Sequence, residues 1–247
     1  LPHASIAAAR PPGGPVVMTS GRPLEGMTTY LAELGLTGQD DYVICYNGAL
    51  VQQVADQRIL RSQLLTGSDA SAIAHLASEL GVNVHGFSVR QGLISPRVST
   101  YTEHESQLIK MPINLVDFAT LPADEQIMKV MMIDPEPQLS RAIAQLPAEL
   151  YERYTVVRSS PYFLEFMNKR SNKGTGVAAL AEHLGLTAHQ VIAVGDAGND
   201  RHMIEYAGLG VAMGNATDEI KTLAQHTTAR NDEDGVARVI EQFILNA

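Results

Sequence analysis

The sequence predicts an α/β protein: a doubly wound parallel sheet with a second, α+β domain inserted in its middle. Three observations carry that expectation. Short unalternating runs recur near both ends of the chain, "VVMT" at 16–19, "YVIC" at 42–45, "VIAV" at 191–194 and "GVAM" at 210–213. Stretches with apolar residues at helical spacing lie between them. From about 66 to 165 this rhythm gives way to alternating strands. Runs without alternation suit a sheet covered on both faces, and strand, helix, strand with short joints is the pattern of parallel strands.

Taken in order, "VVMT" stops at "SGRP", and Leu24, Met27, Leu31 and Leu34 then trace a helical face that Gly35 ends. "YVICYNGA" is a strand closed by the turn signal Asn47-Gly48. The middle segment opens with a helix over 68–80, followed by strands that include "IMKVMMID". A helix over Leu139, Ile143 and Leu146 precedes the strands "YTVVRSS" and "YFLEFM". Met128, Met131 and Met132 are expected in a core, and "TEHES" at 102–106 as a solvated loop. Val177, Leu180, Ala181 and Leu184 form the next helical face, then come "VIAV", a short helix over 201–206, "GVAM" and a helix from Asp218 that buries Ile220 and Leu223. Val236, Val239, Ile240, Phe243 and Ile244 close the chain as one helical face. The expected domains are a discontinuous core, 1–64 with 166–247, and an insert, 65–165.

Composition narrows the function. The 247 residues are 45% hydrophobic and 18% charged, with 18 Lys+Arg against 27 Asp+Glu and a formal charge of −9. No basic stripe is present to displace counterions, so nucleic-acid binding is not expected. No apolar run approaches the roughly 18–20 residues of a membrane span, and "LPHASIAAAR" is too short and polar to read as a signal segment. A single cysteine, Cys45, suits a reducing compartment, so a cytoplasmic protein is expected. His75, His85, His183, His189 and His226 lack zinc-ligand spacing. There is no Gly-x-Ser-x-Gly elbow and no Walker loop.

Four fragments could carry chemistry, each at a strand's C-terminal end or a helix start, where open α/β sheets bind ligands. Thr19-Ser20-Gly21-Arg22-Pro23 could hold a phosphate through a hydroxyl, backbone N–H groups and a guanidinium; an ordinary helix cap would use the same residues. Asn47-Gly48-Ala49 is explained by a tight turn alone. Lys173 in "NKGTG" sits at a helix start, where a cation opposes the macrodipole unless an anion compensates. The alternative is a solvated lysine, and on either view its removal should spare stability. Asp196 and Asp200 stand four residues apart after a buried strand. Like charges held close repel unless something positive joins them, and hard oxygen ligands on such a loop suit Mg²⁺; an Asx turn with a helix cap is the alternative.

In chain order, "TSGRP", "NGA", "NKGTGV" and "GDAGNDRHMIEYAGLGVAMGNA" resemble the motifs of the Cof-type phosphatases of the haloacid dehalogenase superfamily. "TEHES", "KVMMID" and "SSPYFLEF" are similar to the YidA-like sugar-phosphate phosphatases within it. The resemblance implies a Rossmann-like core with an inserted cap that sets specificity. It also implies hydrolysis of a small phosphorylated metabolite through an aspartyl-phosphate, with Mg²⁺ as cofactor. By that resemblance Ser20 holds the transferring phosphoryl group, Lys173 neutralises it, Asp196 binds Mg²⁺ and Asp200 supports the metal's water shell. Asn199 reaches the phosphate, while Arg22, Asn47 and Gly48 line the entrance. One departure stands out. The family's first motif, D-x-D-G-T, which carries the nucleophile, is not in the sequence, whose first aspartate is Asp40. The expectation is a phosphatase whose nucleophile strand is omitted from these residues. The alternative is a catalytically dead, phosphometabolite-binding paralogue.

Overall fold

The structure, a computed structural model, describes residues 5–8 and 14–246; the opening segment around His3 lies outside them. Its contacts divide the chain into two units, Leu1–Ser62 with Asn172–Ala247 and Gln63–Ser171. In the first unit β1 (Met18–Thr19) runs parallel to β2 (Tyr42–Cys45), with Met18 opposite Val43. The crossover carries α1 (Thr28–Glu33). Both elements are shorter than their sequence pattern. Pro23 and Gly26 keep Leu24 and Met27 in turns, so these two side chains are buried from outside the helix. After β2 the sheet turns antiparallel through β3 (Leu50–Gln53) and β4 (Ile59–Ser62), a pair the sequence hid because half of its residues are polar and none of them alternate with the apolar ones.

The second unit is α+β, built on one six-stranded sheet. Its elements are α2 (Gly67–Glu79), β5 (Asn83–Ser88), β6 (Gly92–Ser95), α3 (Thr100–Ile109), β7 (Ile113–Leu115), β8 (Ile127–Ile133), α4 (Glu136–Ile143), α5 (Glu149–Arg153), β9 (Tyr154–Ser160) and β10 (Phe163–Asn168). The boundary read at 165 falls inside β10, and the contacts keep that strand whole within Gln63–Ser171. "TEHES" is not a solvated loop. It lies in α3, capped by Ser99, whose hydroxyl accepts from Thr102 N–H at 3.1 Å. Thr102, Glu105 and Ile109, three and four positions apart, form its buried face.

β8 lies between β5 and β10 and is buried along its whole length, Met128, Met131 and Met132 included. One side packs on α2 and α4 through Ile73, Ala77, Leu139 and Ala142. Lys129, on the same strand, pairs with Glu165 at 3.3 Å and lies 5.1 Å from the centre of the Phe87 ring. A cleft of about 420 Å³ opens beside the start of α3, with the Tyr101 and Tyr162 rings stacked at 4.9 Å.

His85 is fully buried on β5, its Nε2 3.2 Å from Met131 Sδ. Burial, then the nearby Lys129 ammonium, lowers its pKa from 6.5 to about 3. The folded protein thus refuses a proton that the unfolded chain accepts. The contribution of His85 to stability is complete above about pH 6.5 and declines as the pH falls towards about 3. The expected slope from this group is about 1.4 kcal/mol per pH unit across that window. Urea unfolding of the wild type and of His85→Leu at pH 7, 6 and 5 checks it; an equal slope in both proteins would refute the assignment.

The chain returns to the first unit through α6 (Lys173–His183) and a second, all-parallel sheet, β11 (Ile192–Gly195), β12 (Leu209–Ala212) and β13 (His226–Thr227). Helices α7 (Arg201–Tyr206), α8 (Asp218–Leu223) and α9 (Gly235–Ile240) complete it. Val177 of α6 packs against the apolar clusters of both sheets. Ile240 of α9 packs with Ile6, Val16 and Leu34 in a further cluster. The last helical face is broken at Glu241, where α9 widens into a π turn, so Phe243 and Ile244 are only half-buried. No described helix is long and apolar enough to cross a membrane.

Candidate active site

The site is built around the loop that follows β1. Ser20 is held on both sides, its N–H donating to Ile44 O at 2.9 Å and its carbonyl accepting from Asn47 N–H at 2.9 Å. Its hydroxyl oxygen accepts from Arg22 N–H at 3.1 Å, the local bond of a serine turn and not of a helix cap, since α1 begins at Thr28 with Met27 as its N-cap. Arg22 itself is exposed, its guanidinium 5.8 Å from the Tyr30 ring centre. Cys45 ends β2 beneath this loop; burial, then the Glu25 charge, pushes its thiol pKa far up, so it is inert packing.

Asn172 starts α6 as its N-cap, accepting from Thr175 N–H at 2.9 Å. Lys173 follows, and the solvated lysine is overturned here. Lys173 is 7% exposed and its Nζ lies 2.5 Å from Asp200 Oδ1. The glycines bring α6 in closely enough for this: a Cβ on Gly174 would lie 2.5 Å from His202 O, and one on Gly176 would lie 2.7 Å from Ile44 Cγ2. The expectation that Lys173 can be removed without loss of stability falls with it, because removal would leave a buried carboxylate without its cation.

Asp200 is 4% exposed, and its second oxygen accepts from the N–H groups of Asp196 at 2.9 Å and Ala197 at 3.1 Å. Both its oxygens are engaged, so it fixes the 196–200 loop. Asp196 on that loop is exposed; its Oδ2 takes a long bond from Asn215 Nδ2, 3.4 Å away. Asn199 is exposed too, and its Nδ2 donates to Asn47 Oδ1 at 3.1 Å. The structure thus joins Ser20, Asn47 and Asn199 in one hydrogen-bonded set and Lys173, Asp196 and Asp200 in another, with Gly48 against Asn172.

Sequence reasoning gave Asn215 no role. Its carboxamide accepts from Asn231 N–H at 2.9 Å and faces Asp196; "GNA" after a strand was the available signal. Among the described residues no three His, Cys, Asp or Glu side chains form a metal cluster. The donors fit one protein ligand's share of a Mg²⁺ site, the exposed carboxylate of Asp196, since Mg²⁺ is held by one or two carboxylates together with waters and substrate phosphate.

A family model for haloacid dehalogenase-like hydrolases matches residues 3–240. The chain belongs to that family. This haloacid dehalogenase-like hydrolase is 39% identical over 243 residues to YxeH of Bacillus subtilis, a protein named as a phosphatase, spanning 98% of this chain and 90% of the relative. It is 27% identical over 245 residues to the Bacillus subtilis protein YitU, named 5-amino-6-(5-phospho-D-ribitylamino)uracil phosphatase, covering 97% and 88% of the two chains. The crystal structure of a haloacid dehalogenase-like hydrolase from Bacteroides thetaiotaomicron matches it with a TM-score of 0.84 at 28% identity, covering 97% of this chain and 90% of that one. The α/β architecture with parallel core strands is therefore that of the family, and both YxeH and YitU are named as phosphatases.

Proposed function

We propose that this family phosphatase is a Mg²⁺-dependent hydrolase of small phosphorylated metabolites, sugar or sugar-alcohol phosphates, acting through an aspartyl-phosphate. The observation that carries the reading is the buried Lys173 ammonium at the first turn of α6, in a chain of formal charge −9. A cation there works against the helix dipole, and burial adds a cost that only bound anions offset. Asp200 supplies one, and a phosphate would be the second. Ser20 and the amide of Asn199 would orient it by hydrogen bonds, and the Lys173 ammonium would stabilise the charge that builds on the transferring group. Mg²⁺, held through Asp196, would shield the attacking carboxylate from the phosphate charge. The D-x-D-G-T aspartate that takes the phosphoryl group in this family is not among the 247 residues. The substrate class is supported by YitU's name and by the middle-segment phrases. Substrate choice is assigned to residues 63–171.

The test uses protein expressed from the complete gene. Phosphate release from a panel of sugar phosphates, sugar-alcohol phosphates and other phosphomonoesters is measured with Mg²⁺ and with a chelator. Metal-dependent turnover concentrated on the sugar-type esters is expected. No turnover on any phosphomonoester would refute the proposal, and saturable binding without turnover would favour the catalytically dead, phosphometabolite-binding alternative.

A further inference from the structure

We propose that Asn47 is a positioning residue that acts through Asn199, and that the turn Tyr46–Gly48 aligns the loops of the site. The inference rests on reading this site as a phosphate receptor. Three successive residues here have positive φ, Tyr46 at 49°, Asn47 at 53° and Gly48 at 92°. Glycine adopts this region freely and asparagine tolerates it, but a tyrosine there is an outlier. Such backbone persists only where its surroundings over-determine it.

Those surroundings are the site itself. Tyr46 N–H donates to Arg22 O at 3.2 Å and Asn47 N–H to Ser20 O at 2.9 Å, so the turn grips the two carbonyls on either side of Gly21. A Cβ on Gly21 would lie 3.1 Å from Asn47 Nδ2. Gly48 lies against Asn172, the residue before Lys173. From the middle of this turn the Asn47 carboxamide accepts the Asn199 amide, 152 positions away, at 3.1 Å. A turn needed only to reverse β2 into β3 explains a left-handed asparagine. It does not explain a side chain bonded to the loop after β11. That bond sets the direction of the Asn199 amide relative to Ser20, so both can meet one anion at fixed spacing.

Asn47→Gly keeps the left-handed backbone at no steric cost and deletes the carboxamide, which makes it the informative variant. The side-chain amide signals of Asn199 are followed by ¹⁵N NMR, and inorganic phosphate is titrated into wild type, Asn47→Gly, Asn199→Ala and the double variant. Asn47→Gly should shift the Asn199 side-chain signals while the backbone amides of Ser20 and Asn172 keep theirs. Phosphate affinity should fall about tenfold in each single variant, the loss of one bond to a charged group. The double variant should bind no worse than Asn199→Ala alone, since residues acting through one contact are not additive. Additive losses, or unmoved Asn199 signals, would overturn the inference while leaving the receptor reading intact. A wild type that binds no phosphate would remove the receptor reading and this inference with it.

Discussion

Lys173→Ala in the complete enzyme should lose turnover by about 10²–10³-fold, the cost of deleting one preorganised charge-stabilising donor. It should also lose stability, by about 3 kcal/mol, because Asp200 is 4% exposed and would be left without the ammonium 2.5 Å away. The N–H groups of Asp196 and Ala197 still serve Asp200, which places the loss at the lower end of the range for broken buried pairs. For a chain of this length that is a fall in Tm of about 10 °C. The two effects separate in Lys173→Ala/Asp200→Asn. Removing the stranded charge should restore part of the Tm, whereas turnover should stay as low as in the single variant. Thermal unfolding and phosphate release on the same preparations decide it. Near-wild-type stability in Lys173→Ala would mean that the pair is looser and wetter than the structure has it.

Gly48→Ala should be the most destabilising single-carbon addition in the site. The new Cβ would lie 2.0 Å from Asn172 O and 2.6 Å from Asn172 C, backbone atoms of a helix cap with no rotamer to change. The backbone there has φ of 92°, which disfavours any side chain. Overpacking and left-handed strain together amount to about 3–5 kcal/mol. Gly185→Ala is the control, with φ of 70° and nothing within 4 Å of its added Cβ, so it should cost about 1 kcal/mol. Urea unfolding of both variants gives the comparison. A Gly48→Ala loss no larger than the control's would show that the α6 cap moves aside freely.

How much of this could be read beforehand depends on the range of the signal. β2, β11 and β12 declare themselves because their runs are short, apolar and bounded by turns, although Ile192 and Val194 of β11 are only half-buried. Ser20, Asn47, Lys173, Asp196, Asn199 and Asp200 were visible as residue types at strand ends. Their partners were not. That Lys173 is buried depends on Asp200, 27 positions later, and on two glycines that let α6 approach. The antiparallel pair β3–β4 escaped because Gln52, Gln53, Arg61 and Ser62 give it little apolar pattern. In α3, acidic composition masked a buried Thr102, Glu105 and Ile109 face whose helical spacing was present in the letters. Tyr46 in the left-handed region has no local cause at all; its surroundings impose it.

The bond between Lys173 and Asp200 also bears on how an anion finds the site. Before any ligand arrives, the buried Lys173 ammonium is already matched by the Asp200 carboxylate, so the pair adds almost no net field at a distance. The chain around it carries −9. The side chains alone would therefore not funnel a phosphate dianion inward as a cationic cleft would, which leaves any long-range attraction to a bound cation. Screening confines attraction between exposed groups to about 8–10 Å in ordinary salt, and within that range the fixed donors take over. On the proposed reading, the side chains of this site select their ligand at contact, by groups already aimed, and add little long-range steering.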